Sequence, residues 1–96
     1  MPTNVILIDL STLHPELAVR DRNSSRFDAT RHEDVCHICC LPLTATAIER
    51  GWMVRTVRGS ALIPINAEWS DEASESGMFP VGSECARRVP LEYRTR

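Results

Sequence analysis

A small α+β domain is what this sequence predicts, on three observations. Residues 52–58 alternate, with Trp52, Val54 and Thr56 on one side and Met53, Arg55 and Val57 on the other. An apolar run at 61–65 returns after Arg58-Gly59-Ser60, which makes a β-hairpin. Gly82-Ser83-Glu84-Cys85 opens a helical pattern over 84–89, with Ser83 as its cap and Pro90 as its stop. The third observation is cysteine placement: a Cys36-x-x-Cys39 pair precedes the hairpin, and Cys85 sits in the first turn of the helix. A chain of 96 residues makes one domain with a thin core. Its aromatic anchors are Phe27, Trp52, Trp69, Phe79 and Tyr93 alone. Such a domain gains from a staple, either a disulfide or a metal ion.

The elements follow in chain order. Residues 5–10 are apolar and rich in β-branched side chains, so they read as a buried strand added to the hairpin's sheet. Residues 13–34 mix opposite charges with turn formers and read as loop, with one helical turn at 15–19 and Phe27 as anchor. A connection of that length is either a contact element or partly disordered. Residues 44–50 form a helical turn ended by Gly51. Pro64 sets the second hairpin strand at an edge or at a bulge. Glu68, Asp71, Glu72 and Glu75 make 67–77 acidic, either a short helix capped by Ser70 or a solvated loop. Residues 78–81 are extended. The organisation is thus an N-terminal strand and loop extension (1–34), a metal-binding unit (35–90) and a polar, frayed tail (91–96).

All 11 basic residues are arginine, against 13 acidic ones, for a net charge of −2. That balance excludes a strongly basic nucleic-acid binder and a polyanion alike. Val5-Ile6-Leu7-Ile8 is too short for a signal peptide and lacks a basic flank, and no run spans a bilayer. The expected location is cytoplasmic. In a reducing compartment, closely paired cysteines hold metal more often than they form disulfides. In an oxidising one, a Cys36–Cys39 disulfide is the alternative.

The two-residue spacing of Cys36 and Cys39 lets both thiolates reach one ion from a tight turn, and soft sulfur suits tetrahedral Zn²⁺. Leu43 is expected to pack beneath that site. The run Cys36-x-x-Cys39-x-x-Pro42-Leu43, with Gly82-x-x-Cys85 before a basic helix, resembles small treble-clef zinc fingers of bacteria and phages. The resemblance covers about residues 35–90 and implies a knuckle, a β-hairpin and a C-terminal helix around Zn²⁺. It also implies two ligands from the helix. Cys85 fits the first, but Arg88 stands at the second position and cannot ligate. The metal set is therefore Cys36, Cys39 and Cys85 with a fourth ligand drawn from His32, Cys40, His14 and His37, in that order of preference.

The layout of zinc deaminases, a phosphate-binding glycine loop, a nucleophile elbow and a His-Glu-x-x-His helix are all missing from the sequence. A small metal hydrolase is thereby disfavoured, and the metal is expected to be structural rather than catalytic. The favoured function is a protein-interaction module, a bacterial or phage regulator binding a larger protein partner through anchors such as Trp69 or Phe79. The alternative is a nucleic-acid-binding finger using Arg55, Arg58, Arg87 and Arg88.

Overall fold

The computed structural model describes residues 5–96. Strand β1 spans Ile8–Asp9 and is followed by a 3₁₀ turn at Leu10–Thr12 and helix α1 at Leu17–Ser24. Strands β2 (Asp34–Val35) and β3 (Pro42–Leu43) flank the Cys36 knuckle, and helix α2 covers Ala45–Arg50. Then come β4 (Trp52–Val57), β5 (Ala61–Ile63), β6 (Glu75–Val81), helix α3 (Ser83–Ala86) and β7 (Arg94–Thr95). The architecture is α+β, with two antiparallel sheets.

Strand β4 is the axis of the larger sheet. On one side β6 runs its full length, from Trp52 opposite Val81 to Val57 opposite Glu75. On the other side β5 pairs with its second half, Thr56 opposite Leu62, while β7 pairs with Met53 and Val54. Strand β1 extends the sheet beyond β5, Ile8 opposite Leu62. The expected hairpin is present. Its turn puts Arg58 at φ 55° and Gly59 at φ 74°, a left-handed pair that fits the twist of the strands and favours glycine. Pro64 falls just past β5. β5 is flanked by β1 and β4, so it is not the edge strand that Pro64 led one to expect; in the larger sheet the proline within a strand is Pro80, tolerated because β6 lies at the sheet edge, where the missing N–H costs no ladder bond.

Val54, Val57, Leu62 and Ile63 are 0% exposed. The core continues from Val54 and Leu62 through Leu10, Ile38, Leu43, Val81, Ala86, Val89 and Tyr93, so knuckle, sheet and C-terminal segment share one apolar interior. Arg55 brackets the long connection after β5. Its Nη1 donates to the carbonyls of Ile65 (3.2 Å) and Ala67 (2.6 Å), and its Nε and Nη2 donate to Glu75 Oε1 at 3.0 and 2.7 Å.

Several expectations are corrected. The first strand is two residues, because Asp9 accepts from the Ser11 N–H and turns the chain into the 3₁₀ turn. Residues 17–24 are a full helix, where a single turn at 15–19 and then loop were expected. That helix buries no side chain, so no apolar periodicity announced it, and Asn23 Nδ2 ties it to the Cys39 carbonyl at 2.9 Å. The acidic segment holds a 3₁₀ turn at Glu72–Ser74, and β6 begins at Glu75, three residues earlier than the extended stretch expected from 78. Helix α3 stops at Ala86 rather than continuing to 89.

The tail is not frayed. Tyr93 is buried and its hydroxyl donates to the Ile6 carbonyl at 2.5 Å, while Arg94 and Arg96 stack on Trp52 at 4.2 and 4.5 Å. Gly51 ends α2 at φ −92°, outside the left-handed region. Glycine is needed there for space, since a Cβ would sit 2.4 Å from the Ala47 carbonyl oxygen.

Candidate metal centre

The knuckle is a miniature hairpin. Strands β2 and β3 pair Asp34 with Leu43 and Val35 with Pro42, and the Cys36 N–H donates to the Leu41 carbonyl at 2.8 Å. The Cys40 N–H then closes the turn on the Cys36 carbonyl at 2.9 Å, with Cys40 itself at φ 66°. That left-handed position is one where glycine is the unstrained choice. Ile38, between the two cysteines, is 0% exposed and plugs the knuckle into the core. The sequence reading missed this anchor; its signal was an apolar side chain inside a turn otherwise made of polar and cysteine residues. Leu43 is buried as expected.

Two contacts seat the knuckle on the sheet edge. The His37 N–H donates to the Pro80 carbonyl at 2.9 Å, and the Gly82 N–H donates to Cys36 Sγ at 3.2 Å. Gly82 is also where β6 turns into α3, so the same bend that delivers an N–H to Cys36 swings Cys85 round to face it. The outcome is a group of sulfurs, Cys36, Cys39 and Cys85, all within 4.8 Å of one another. Cys36 and Cys85 are buried and Cys39 is half-buried. All four cysteines are free thiols, so the Cys36–Cys39 disulfide is not formed.

The electrostatics are those of thiols sharing protons. A hydrogen bond from the Cys85 thiol, helped by the N–H groups of Cys39, Gly82 and Ile38, brings Cys36 down to about 5 against the opposing effect of burial. Cys85 is driven the other way, first by that same bond to Cys36, then by burial and by the neighbouring negative charge. Burial raises Cys39. One thiolate flanked by two thiols is the arrangement a soft cation converts into three thiolates. Sulfurs bound to Zn²⁺ at ~2.3 Å in a tetrahedron lie about 3.8 Å apart, so closing from 4.8 Å or less requires at most about an ångström of adjustment. The donors present fit a thiolate-binding divalent ion.

The other expected site residues lie elsewhere. His32 is not in the sulfur group: its Nδ1 accepts from the Asp28 N–H at 3.1 Å and its ring sits 5.9 Å from Phe27. His37 places Nε2 3.1 Å from Thr56 Oγ1 and stacks on Phe79, with ring centroids 4.3 Å apart. His14 and Cys40 line a neighbouring cavity of about 430 Å³ that also meets Arg20, Asp34 and Cys36. Burial lowers both His14 and His37 below the ordinary imidazole range.

Of the arginines in the nucleic-acid reading, Arg55 is spent on Glu75 and backbone carbonyls, and Arg88 Nη2 donates to the Leu13 carbonyl at 2.9 Å. Arg58 lies 5.2 Å over Trp69, and Arg87 is exposed, 4.0 Å from Glu84. Trp69 and Phe79, the expected partner anchors, are also engaged internally, Trp69 Nε1 donating to Ser74 Oγ at 2.9 Å and Phe79 stacking on His37. Among the described residues no helix is long and apolar enough to cross a membrane. Compared with known proteins, the chain matches no family, no curated protein and no solved structure.

Proposed function

We propose that this protein is a small zinc-binding interaction module of the treble-clef kind, cytoplasmic, acting by occupying a surface on a larger protein as a bacterial or phage regulator would. The observation that carries this reading is the convergence of Cys36, Cys39 and Cys85 within 4.8 Å from segments up to 49 residues apart in sequence, 85 less 36. The order of parts supports it: knuckle β2–β3, hairpin β4–β5, then α3 carrying Cys85. Zinc suits the soft donors and a tetrahedral closure. Its role on this reading is to hold the knuckle to the start of α3, since two of the three sulfurs are buried away from solvent.

A protein partner is favoured over nucleic acid because two of the four candidate arginines, Arg55 and Arg88, are consumed in internal hydrogen bonds. The N-terminal extension meanwhile displays Leu17 at 70% and Phe27 at 41% exposure, with Leu41 at 40% beside the knuckle. Elemental analysis with thiol titration before and after chelation tests the metal. The expected result is one zinc per chain and three thiols that become reactive on its removal. Zinc-free protein with the same fold sinks the reading. Retention of a protein from nuclease-treated lysate, with no binding to duplex DNA at low salt, is expected for the partner class; steeply salt-dependent DNA binding reverses it.

A further inference from the structure

Three sulfurs make one face of a tetrahedron, and the residues best placed by sequence to complete it lie outside their group. Arg88 occupies the α3-side position and is tied to the Leu13 carbonyl. His32 Nδ1 is held by the Asp28 N–H, and His37 Nε2 lies against Thr56 while its ring is stacked on Phe79. His14 and Cys40 line the adjoining cavity and are outside the sulfur group. Glu84, next to Cys85, is exposed beside Arg87. Cys39 is the one sulfur residue of the three that is half-exposed, so the group is open to solvent on that flank.

Resting on the metal reading above, we infer that the centre takes its fourth ligand from outside the described chain: a neutral nitrogen donor of the imidazole class, exchanging with water. Charge selects neutrality. A divalent cation on three thiolates already carries one net negative charge in a mostly buried setting, and a fourth anion would add another where desolvation is costly. The centre is then both a staple and a docking point, with Cys36 and Cys85 in the interior and the exchangeable position toward the Cys39 side.

The test uses the full chain loaded with Co²⁺ in place of zinc, with imidazole as the probe. The expected result is sulfur-to-cobalt charge-transfer intensity equivalent to three thiolates, and visible bands that shift saturably as imidazole is added. His32→Ala and Cys40→Ser are expected to leave the imidazole-free spectrum unchanged. Bands indifferent to imidazole, intensity equivalent to four thiolates, or a changed resting spectrum in either variant overturns the inference while leaving the metal reading intact. Failure to take up cobalt at all removes the metal reading, and this inference with it.

Discussion

The sheet and the knuckle solve the same problem differently. Strands β4 and β5 present Val54, Val57, Leu62 and Ile63 at 0% exposure, and β4 is paired along both sides. Apolar burial and ladder bonds suffice to hold that half. The knuckle has two-residue strands with two register pairs, and its buried side chains between β2 and β3 are Cys36 and Ile38. So little apolar surface and so few ladder bonds make a weak unit by themselves, and on the proposed reading a cation supplies the closure. The contrast shows why thiols sit at the ends of short segments while aliphatics fill the long ones.

The largest effect should come from cutting the centre. Cys85→Ser or chelation is expected to abolish tight metal binding and to unfold the knuckle and α3, with early loss of amide protection at residues 34–43 and slower loss in β4, read by hydrogen exchange. Equal loss everywhere would show that the two halves do not differ. Next is the sheet itself: Leu62→Ala leaves a cavity at a fully buried position and should cost about 2–5 kcal/mol in denaturant unfolding, with metal stoichiometry unchanged. Arg55→Ala follows. It leaves the Ile65 and Ala67 carbonyls and Glu75 without their donor, and is expected to cost about 2–3 kcal/mol while DNA binding stays as it was.

Protons sharpen the same contrast. Cys36 is depressed only while the Cys85 thiol and the knuckle N–H groups face it, so if the metal-free knuckle is open, metal uptake at pH 7 should release about three protons; release of about two would show that the knuckle stays closed without the ion. Calorimetry in buffers of different ionisation enthalpy measures this. In that closed case, the depressed Cys36 adds stability that is complete above the ordinary thiol value and is lost as pH falls through about 5. Cys39 and Cys85, both raised, contribute in the opposite sense: complete below that value, lost as pH rises beyond it. Smallest is Cys40→Gly, which relieves a left-handed residue at φ 66° and should gain at most about 1 kcal/mol, with metal content unchanged. A loss of metal there would make Cys40 a ligand.

How much was legible varies along the chain. Hairpin β4–β5 was readable because alternation and the turn signal at Arg58-Gly59 are local. The sulfur group was readable because the knuckle spacing, the order of parts and the helix-start cysteine each constrain it. Helix α1 was hidden, since a helix with no buried residue leaves no apolar period. His32 as a ligand was a plausible guess by distance in sequence; in space a local Asp28 N–H holds its ring nitrogen. The ordered C-terminus was hidden as well, since it hangs on the Tyr93 hydroxyl, backbone bonds and arginines stacked on Trp52.

By itself, then, the sequence determined the α+β class, the hairpin and the Cys36–Cys39 pair, because these follow from periodicity, turn chemistry and spacing within short windows; Cys85 was added to the pair by the order of parts that the chain shares with treble-clef fingers. Tertiary structure alone decided which side chains stay away from those sulfurs and which arginines remain free. Those outcomes depend on competition for partners such as the Leu13 carbonyl, the Asp28 N–H and Glu75, and such competition exists only once distant segments have met.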